Sequence, residues 1–255
     1  MNPTNPADAG TAGAAGPLAG QTVVIVGGSA GIGLETARQV RAAGGDVMLV
    51  ARNAERLERA AKDVGTTNTA VFDASDPVRL EQFVRDLPGR VDHLMVTAGQ
   101  PKYTAFDDLD LNDAATAFGG RVAMMLGVAR AGRDKLRPGG TLLFIGGTGG
   151  RRPALGMAQI GAVTAALPAL TANLALEIAP VRINLIAPGF VDTPLSATLL
   201  GDRLDARRRQ LRETLPIRRV VGPEDVAAMG VHLMLNTALT GATYDVDGGQ
   251  QFTAG

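Results

Sequence analysis

The glycines of Gly27-Gly28-Ser29-Ala30-Gly31-Ile32-Gly33 are the residues of this chain best suited to hold a phosphate. Backbone without side chains turns tightly and approaches a diphosphate closely, and a helix start behind it presents free N–H groups to the anion. The run follows the apolar stretch Val23–Val26 and precedes a segment of helical period, which is the context such a cradle needs. Other site chemistries lack their residues. With no Cys there is no disulfide, thiolate nucleophile or cysteine-ligated zinc or iron–sulfur centre. The two histidines, His93 and His232, lie far apart in sequence, so no histidine-based metal site is expected. Twenty-five basic residues balance 25 acidic ones, without the excess of a dedicated binder of nucleic acid or anionic membrane.

From Leu18 onward, short β-branched runs alternate with longer segments of helical period. Strands are expected at Val23–Val26, Asp46–Val50, Thr69–Phe72, His93–Thr97, Thr141–Ile145, Arg182–Ile186 and Ala242–Val246. Helices are expected at Ile32–Ala43, Ala54–Val64, Pro77–Leu87, Leu111–Lys135, Met157–Ile178 and Pro223–Leu235. This alternation implies an α/β fold, a Rossmann-type doubly wound parallel sheet of about seven strands with helices on both faces. Residues 1–17, built of Ala, Gly, Pro and small polar residues, read as a disordered tail and 18–255 as a single domain. The tail lacks the basic start and apolar core of a signal peptide. The most membrane-like stretch, Ala162–Ala179, is rich in Ala and holds Pro168 and Asn173. A soluble protein of a reducing compartment, the cytoplasm, is the expectation.

Taken in order, these features resemble the short-chain dehydrogenase/reductase family over about residues 20–250. Gly27-x-x-x-Gly31-Ile32-Gly33 is similar to the family's cofactor loop, with Val26 in place of its usual Thr. Thr97-Ala98-Gly99 matches most of the Asn-Asn-Ala-Gly motif. Arg182-Ile183-Asn184, Pro188-Gly189-Phe190-Val191-Asp192-Thr193-Pro194, Pro223-Glu224-Asp225-Val226-Ala227 and Val246-Asp247-Gly248-Gly249 match later signatures. The resemblance implies a dinucleotide held at Gly27, Ser29, Ala30, Gly31 and Ile32, with Asp73 and Ala74 at adenine. It adds Ala98 and Gly99, and places Pro188, Gly189, Val191 and Thr193 in the loop that holds the nicotinamide amide.

After the second strand, Val50-Ala51-Arg52-Asn53 lacks the carboxylate that an NAD-preferring site offers to the ribose 2′-hydroxyl. The permanently charged fork of Arg52, followed by Asn53, suits a 2′-phosphate, so NADP(H) is the expected cofactor. The alternative is a solvated Arg52 paired with Glu55.

The resemblance breaks at the reaction centre, where the family uses Asn, Ser, Tyr and Lys. Counting back from Leu174-Ala175-Leu176-Glu177 puts the Tyr position on Ile160, the Lys position on Thr164 and the Ser position on Gly147. The Asn position falls near Arg121. Tyr103 and Tyr244 are the only tyrosines, and Lys62, Lys102 and Lys135 the only lysines, so none lies in the 157–178 helix. A positioned general acid contributes about 10²–10⁴-fold, so reduction of an ordinary ketone is expected to be slow. An iminium, enone or activated carbonyl accepts hydride without that acid.

Arg121, as a fixed cation, and Thr148, as a polarising hydroxyl, are the candidate catalytic replacements. Their alternatives are an arginine paired with a carboxylate at an oligomer face and a simple turn residue. Arg151 and Arg152 border the substrate space, either as an anion site or as plain exposed residues. Lys102 and Tyr103 stand at its mouth, Tyr103 as substitute acid or aromatic lining. Arg203, Arg207, Arg208, Arg209, Arg212, Arg218 and Arg219, interspersed with Asp202, Asp205 and Glu213, read as a solvated helix face. The Asp107-Asp108-Leu109-Asp110 run reads as solvent-facing. Gly119-Gly120 and Pro168 interrupt helical segments, by remodelling of the site or by close helix packing.

The resulting expectation is an NADP(H)-dependent oxidoreductase with an atypical centre, acting on a small organic molecule. Its rivals are a cyclase, lyase or isomerase using bound NADP structurally, and a non-enzymatic dinucleotide-sensing protein. The Ala-rich 157–178 helix resembles the family's oligomerisation element, implying a homodimer or homotetramer.

Overall fold

The computed structural model describes residues 16–253. Most of the expected tail therefore lies outside the described residues, but its last two positions belong to the fold. Gly16 opens a turn whose carbonyl accepts from the Ala19 amide, and the following Leu18 is fully buried.

Among the described residues, β1 (Thr22–Val26), β2 (Asp46–Ala51), β3 (Thr69–Val71), β4 (Val91–Val96), β5 (Leu136–Ile145), β6 (Arg182–Pro188) and β7 (Thr243–Val246) form one parallel sheet. The order is β3-β2-β1-β4-β5-β6-β7. The helices are α1 (Gly31–Ala42), α2 (Ala54–Val64), α3 (Pro77–Arg85), α4 (Leu111–Lys135), α5 (Ala158–Glu177), α6 (Pro194–Leu200), α7 (Leu204–Thr214) and α8 (Pro223–Leu235).

Strand residues are buried on both faces and divide by parity between two cores. Val24 and Val26 join Leu80 and Val84 of α3, Met125 and Val128 of α4, and Leu167 and Leu174 of α5. Val23 and Ile25 join Ala37 and Val40 of α1, Leu57 of α2, and Val226 and Leu233 of α8. The doubly wound sheet expected from the sequence is thus present. α5 is long and apolar enough to cross a membrane, yet its Val163, Leu167, Thr171 and Leu174 are buried within this fold.

Two stretches differ from the sequence expectation. β5 begins at Leu136, not Thr141, because Leu136 pairs with Val91 ahead of a register shift in the β4–β5 ladder. Tertiary pairing here overrides the turn character of Pro138-Gly139-Gly140. The segment after Thr193, for which the sequence reading gives a helix face without bounds, folds into two helices, α6 and α7. Thr193 caps α6 through the Ser196 amide, with Pro194 at its first position.

Candidate active site

All strands run the same way, so the loops after β1, β2, β4, β5 and β6 gather at one edge of the sheet. β1 is flanked by β2 on one side and β4 on the other, and the chain winds outward in both directions from that point. A crevice opens at such a switch point.

The glycine turn lies in this crevice. Gly27 has φ +91°, and a Cβ there would stand 2.4 Å from the Thr97 hydroxyl oxygen and 3.0 Å from the Ala98 amide nitrogen. A Cβ on Gly33 would lie 2.3 Å from the Gly27 carbonyl oxygen. Glycine at both positions lets the start of α1 sit tightly against the ends of β1 and β4. Gly31, at φ +53°, approaches the loop after β6, where its Cβ would meet Thr193 carbons at 3.4 Å. One cradle therefore brings together Gly27, Ser29, Ala30, Gly31, Ile32, Ala98, Gly99 and Thr193. Ala30 at the α1 N-cap contributes no side-chain cap. Asn53, Asp76 and Asp110 do cap α2, α3 and α4, so the first-turn amides of α1 are left for an external acceptor.

The flank of the crevice carries charge. Arg52 is exposed after β2 and forms no ion pair among the described residues, so the expected alternative of a pair with Glu55 is absent. The Asp73 carboxyl lies below its usual pKa, held there by the Ser75 amide and hydroxyl, with a smaller contribution from Arg52. Arg52 and Asp73 therefore face the same space, beside half-buried Ala74. The Asn53 side chain is occupied, accepting from the Arg56 amide at 2.8 Å. Pro188 and Val191 are buried and Gly189 half-buried in the loop after β6.

Across the crevice, the loop after β5 and the start of α5 hold no acid. Ile160 and Thr164 lie one turn apart on α5, and the Thr164 hydroxyl donates back to the Ile160 carbonyl at 2.8 Å. Gly147 has room: an added Cβ would come no closer than 3.6 Å to Thr164 and 3.7 Å to the Pro188 carbonyl oxygen. Thr148 is buried, its amide donating to Pro188, and its hydroxyl makes no hydrogen bond among the described residues. That leaves the hydroxyl available.

Arg121 reaches from α4 to the ends of β4 and β5. Its guanidinium donates to the Ala98 carbonyl at 3.2 Å and also to the Ile145 carbonyl. No carboxylate pairs with it among the described residues. Burial lowers its pKa to about 10, so it remains a cation at neutral pH. It stands 3.0 Å from the Cβ position of Gly99, directly behind the cradle.

Gly119 and Gly120 have open space where a Cβ would go, so packing within this chain does not require them. Pro168 is accommodated inside α5 without ending it. The arginine run is not uniformly solvated: Arg207 and Arg208 on α7 are half-buried. Their spacing from Leu204 and buried Leu211 puts them on one helical face, a periodicity legible in the sequence. Gln159, absent from the sequence reading, has both ends of its amide buried without a partner among the described residues.

A glycine cradle at the switch point of a doubly wound sheet, backed by an uncapped helix, defines the Rossmann class of nucleotide-binding fold. Residues 26–251 match the family model described as "Enoyl-(Acyl carrier protein) reductase". "Dehydrogenase/reductase SDR family member 4" of Sus scrofa is 30% identical over 247 residues, spanning 91% of this chain and 88% of that protein. "Cyclic-di-GMP-binding biofilm dispersal mediator protein" of Escherichia coli (strain K12) is 31% identical over 240 residues, spanning 91% and 98%. The solved structure "Crystal structure of BdcA in complex with NADPH" superposes with TM-score 0.78 at 30% identity, covering 92% of this chain and 96% of that one. The chain belongs to the short-chain dehydrogenase/reductase family, a family of oxidoreductases.

Proposed function

We infer that the protein is a soluble, cytoplasmic NADP(H)-dependent oxidoreductase that reduces an iminium, enone or activated carbonyl without a Tyr–Lys acid. The observation that carries this reading is the pairing of a sterically complete cofactor cradle with a reaction centre whose α5 positions are Ile160 and Thr164. When bound, NADPH supplies a hydride. The first-turn amides of α1 bind its diphosphate, Arg52 its 2′-phosphate, and Asp73 and Ala74 border its adenine. Ala98, Gly99 and the loop from Pro188 to Thr193 hold its nicotinamide end. A solved relative of 30% identity that carries NADPH supports this assignment.

Across the crevice, Thr148 would donate its hydroxyl to orient the acceptor, and Arg121 would stabilise negative charge that develops near it. Arg121 moves no proton near neutrality. Hydride addition to a cationic carbon–nitrogen double bond leaves a neutral amine and needs none at the reacting carbon. For an enone, the proton comes to the α-carbon from water. The exposed apolar faces of α4 and α5, with Leu126 and Leu176, are where two copies pair into a homo-oligomer.

A second reading, a nucleotide-sensing protein without turnover, is favoured by the cyclic-di-GMP-binding relative. Thermal unfolding with NADPH, NADH or no ligand tests the cofactor step. Ligand at 100 times its Kd stabilises by about 2.7 kcal/mol, which is readily seen as a melting shift. NADPH is expected to raise Tm more than NADH, and Arg52→Ala to erase the difference. Equal shifts in the wild type would contradict the assignment of Arg52.

A further inference from the structure

On each of two elements bordering the reaction centre, one of two adjacent arginines is neutralised and its neighbour is not. Arg151 pairs with Asp245, whereas Arg152 forms no ion pair among the described residues. Arg208 grips Asp192 through two donors, at 2.7 and 2.8 Å, and also pairs with Asp205. Arg207, one residue earlier, meets only the Gln210 side-chain oxygen, at 2.7 Å. Both unpaired arginines are half-buried. Burial and then the Arg152 charge lower the pKa of Arg207, while Tyr103 raises it, so both groups lie within electrostatic reach of Arg207. The backbone agrees: the loop carrying Arg152 lies against the loop carrying Tyr103, a Cβ on Gly156 falling 3.6 Å from the Thr104 carbonyl oxygen.

Unsatisfied polar atoms mark the same stretch of chain, the loop carrying Arg152 and the first turn of α5 that follows it. Five buried side-chain atoms lack a hydrogen-bond partner among the described residues, and three are Arg152 Nε and both ends of the Gln159 amide. The other two, His93 Nδ1 and Thr141 Oγ1, belong to residues opposite one another across the β4–β5 ladder, away from the crevice. Buried polar groups without partners are rare in folded proteins and call for a missing partner. Two half-buried guanidinium groups with no counter-charge repel each other, and an anion between them turns that repulsion into attraction. The fixed fork of arginine suits the oxygens of a carboxylate or phosphate.

We propose that Arg152 and Arg207, with the Gln159 amide, form a subsite for a carboxylate or phosphate group of the substrate. The assignment rests on the oxidoreductase reading only for naming its ligand a substrate. An anion is expected to bind there whether or not turnover follows.

The test is calorimetric titration of the NADPH-saturated full chain with benzoate, phenyl phosphate and the neutral analogue benzamide. Saturation keeps phenyl phosphate off the cofactor's own phosphate sites. At least one anion is expected to bind and benzamide not to, and the tighter anion identifies the group. Arg152→Gln and Arg207→Gln are each expected to weaken binding about tenfold, the loss of one charge-assisted contact, and the double variant to abolish it. Arg151→Gln, which removes a charge already paired, is expected to leave Kd within about threefold. Unchanged Tm and NADPH affinity establish that the variants are folded. If Arg207→Gln does not fold, Arg207→Lys, which keeps the charge, is expected to retain binding. Benzamide binding as tightly as benzoate, wild-type affinity in the double variant, or no anion binding to the wild type would each overturn the proposal. Failure of NADPH to bind would count against the oxidoreductase reading alone. The titration is then read as wild type against double variant without cofactor.

Discussion

Two glycine-rich loops, one after β1 and one after β5, face each other across the crevice, and Gly27 and Gly33 of the first differ in their surroundings from Gly147 of the second. In the loop after β1, a Cβ on Gly27 or Gly33 would come within 2.4 or 2.3 Å of an oxygen. Backbone sterics enforce those glycines, and the resulting close approach creates the phosphate cradle. In Gly146-Gly147-Thr148-Gly149-Gly150, a Cβ on Gly150 would also crowd the Ala165 amide nitrogen, at 2.7 Å, but Gly147 has ordinary van der Waals room for a side chain. Nothing in the packing excludes a serine there. The glycine turn after β1 is fixed by geometry, whereas the positions read as the reaction centre hold Gly147, Ile160 and Thr164, and at Gly147 the backbone could carry a side chain.

The largest expected effect follows directly. Gly147→Ser, Ile160→Tyr and Thr164→Lys together are expected to raise NADPH-dependent kcat/KM for simple ketones by about 10²–10⁴-fold, measured by cofactor absorbance. A folded, NADPH-binding triple variant with no gain would show that the centre was remodelled beyond these positions. Ala at position 33 probes the opposite loop. Its methyl overlaps the Gly27 carbonyl, so Gly33→Ala is expected to weaken NADPH binding at least tenfold and to destabilise by upwards of about 3 kcal/mol. Unchanged binding by calorimetry would break the contrast between the loops.

Arg121 ties the two regions together, because it holds the carbonyls at the ends of both β4 and β5. Arg121→Met leaves both unsatisfied and is expected to cost about 3 kcal/mol, read as a lower urea midpoint. Preserved stability with reduced turnover would instead make its role purely electrostatic.

A control lies elsewhere on the same two strands. His93 is buried, its Nε2 2.7 Å from Gln21 Oε1, and burial lowers its pKa from 6.5 to about 4, with Asp92 opposing and Arg182 adding to the shift. The unfolded chain therefore binds more protons than the folded one between those values, and stability falls as pH drops through that window. The loss is expected to be up to about 3 kcal/mol, and His93→Gln to flatten it. Since His93 is remote from both loops, NADPH affinity at neutral pH is expected to be unchanged by that variant.

What could be read in the sequence follows the same division. The cradle was legible because strand, glycine run and helix stand in one order, and the positions of Ile160 and Thr164 followed from helical counting. The short α6 was not, since seven residues, Pro194–Leu200, carry too little period to register. In α7, six charged residues among eleven outweighed the Leu204–Leu211 spacing that marks a buried face. Local composition reported solvent where tertiary packing placed Arg207 beside the crevice. Gln159 carried no sequence signal, because its significance lies in partners that only the folded chain reveals.

The central claim is that hydride leaves NADPH in this site without a tyrosine acid. Incubating the wild-type protein with C4-deuterated NADPH and matched cyclic imines, enones and ketones tests it most directly, with products read by mass spectrometry. The account predicts deuterium at the former electrophilic carbon of an imine or enone product and little ketone reduction. NADPH bound but unconsumed across the panel, or product formed without deuterium, would contradict it.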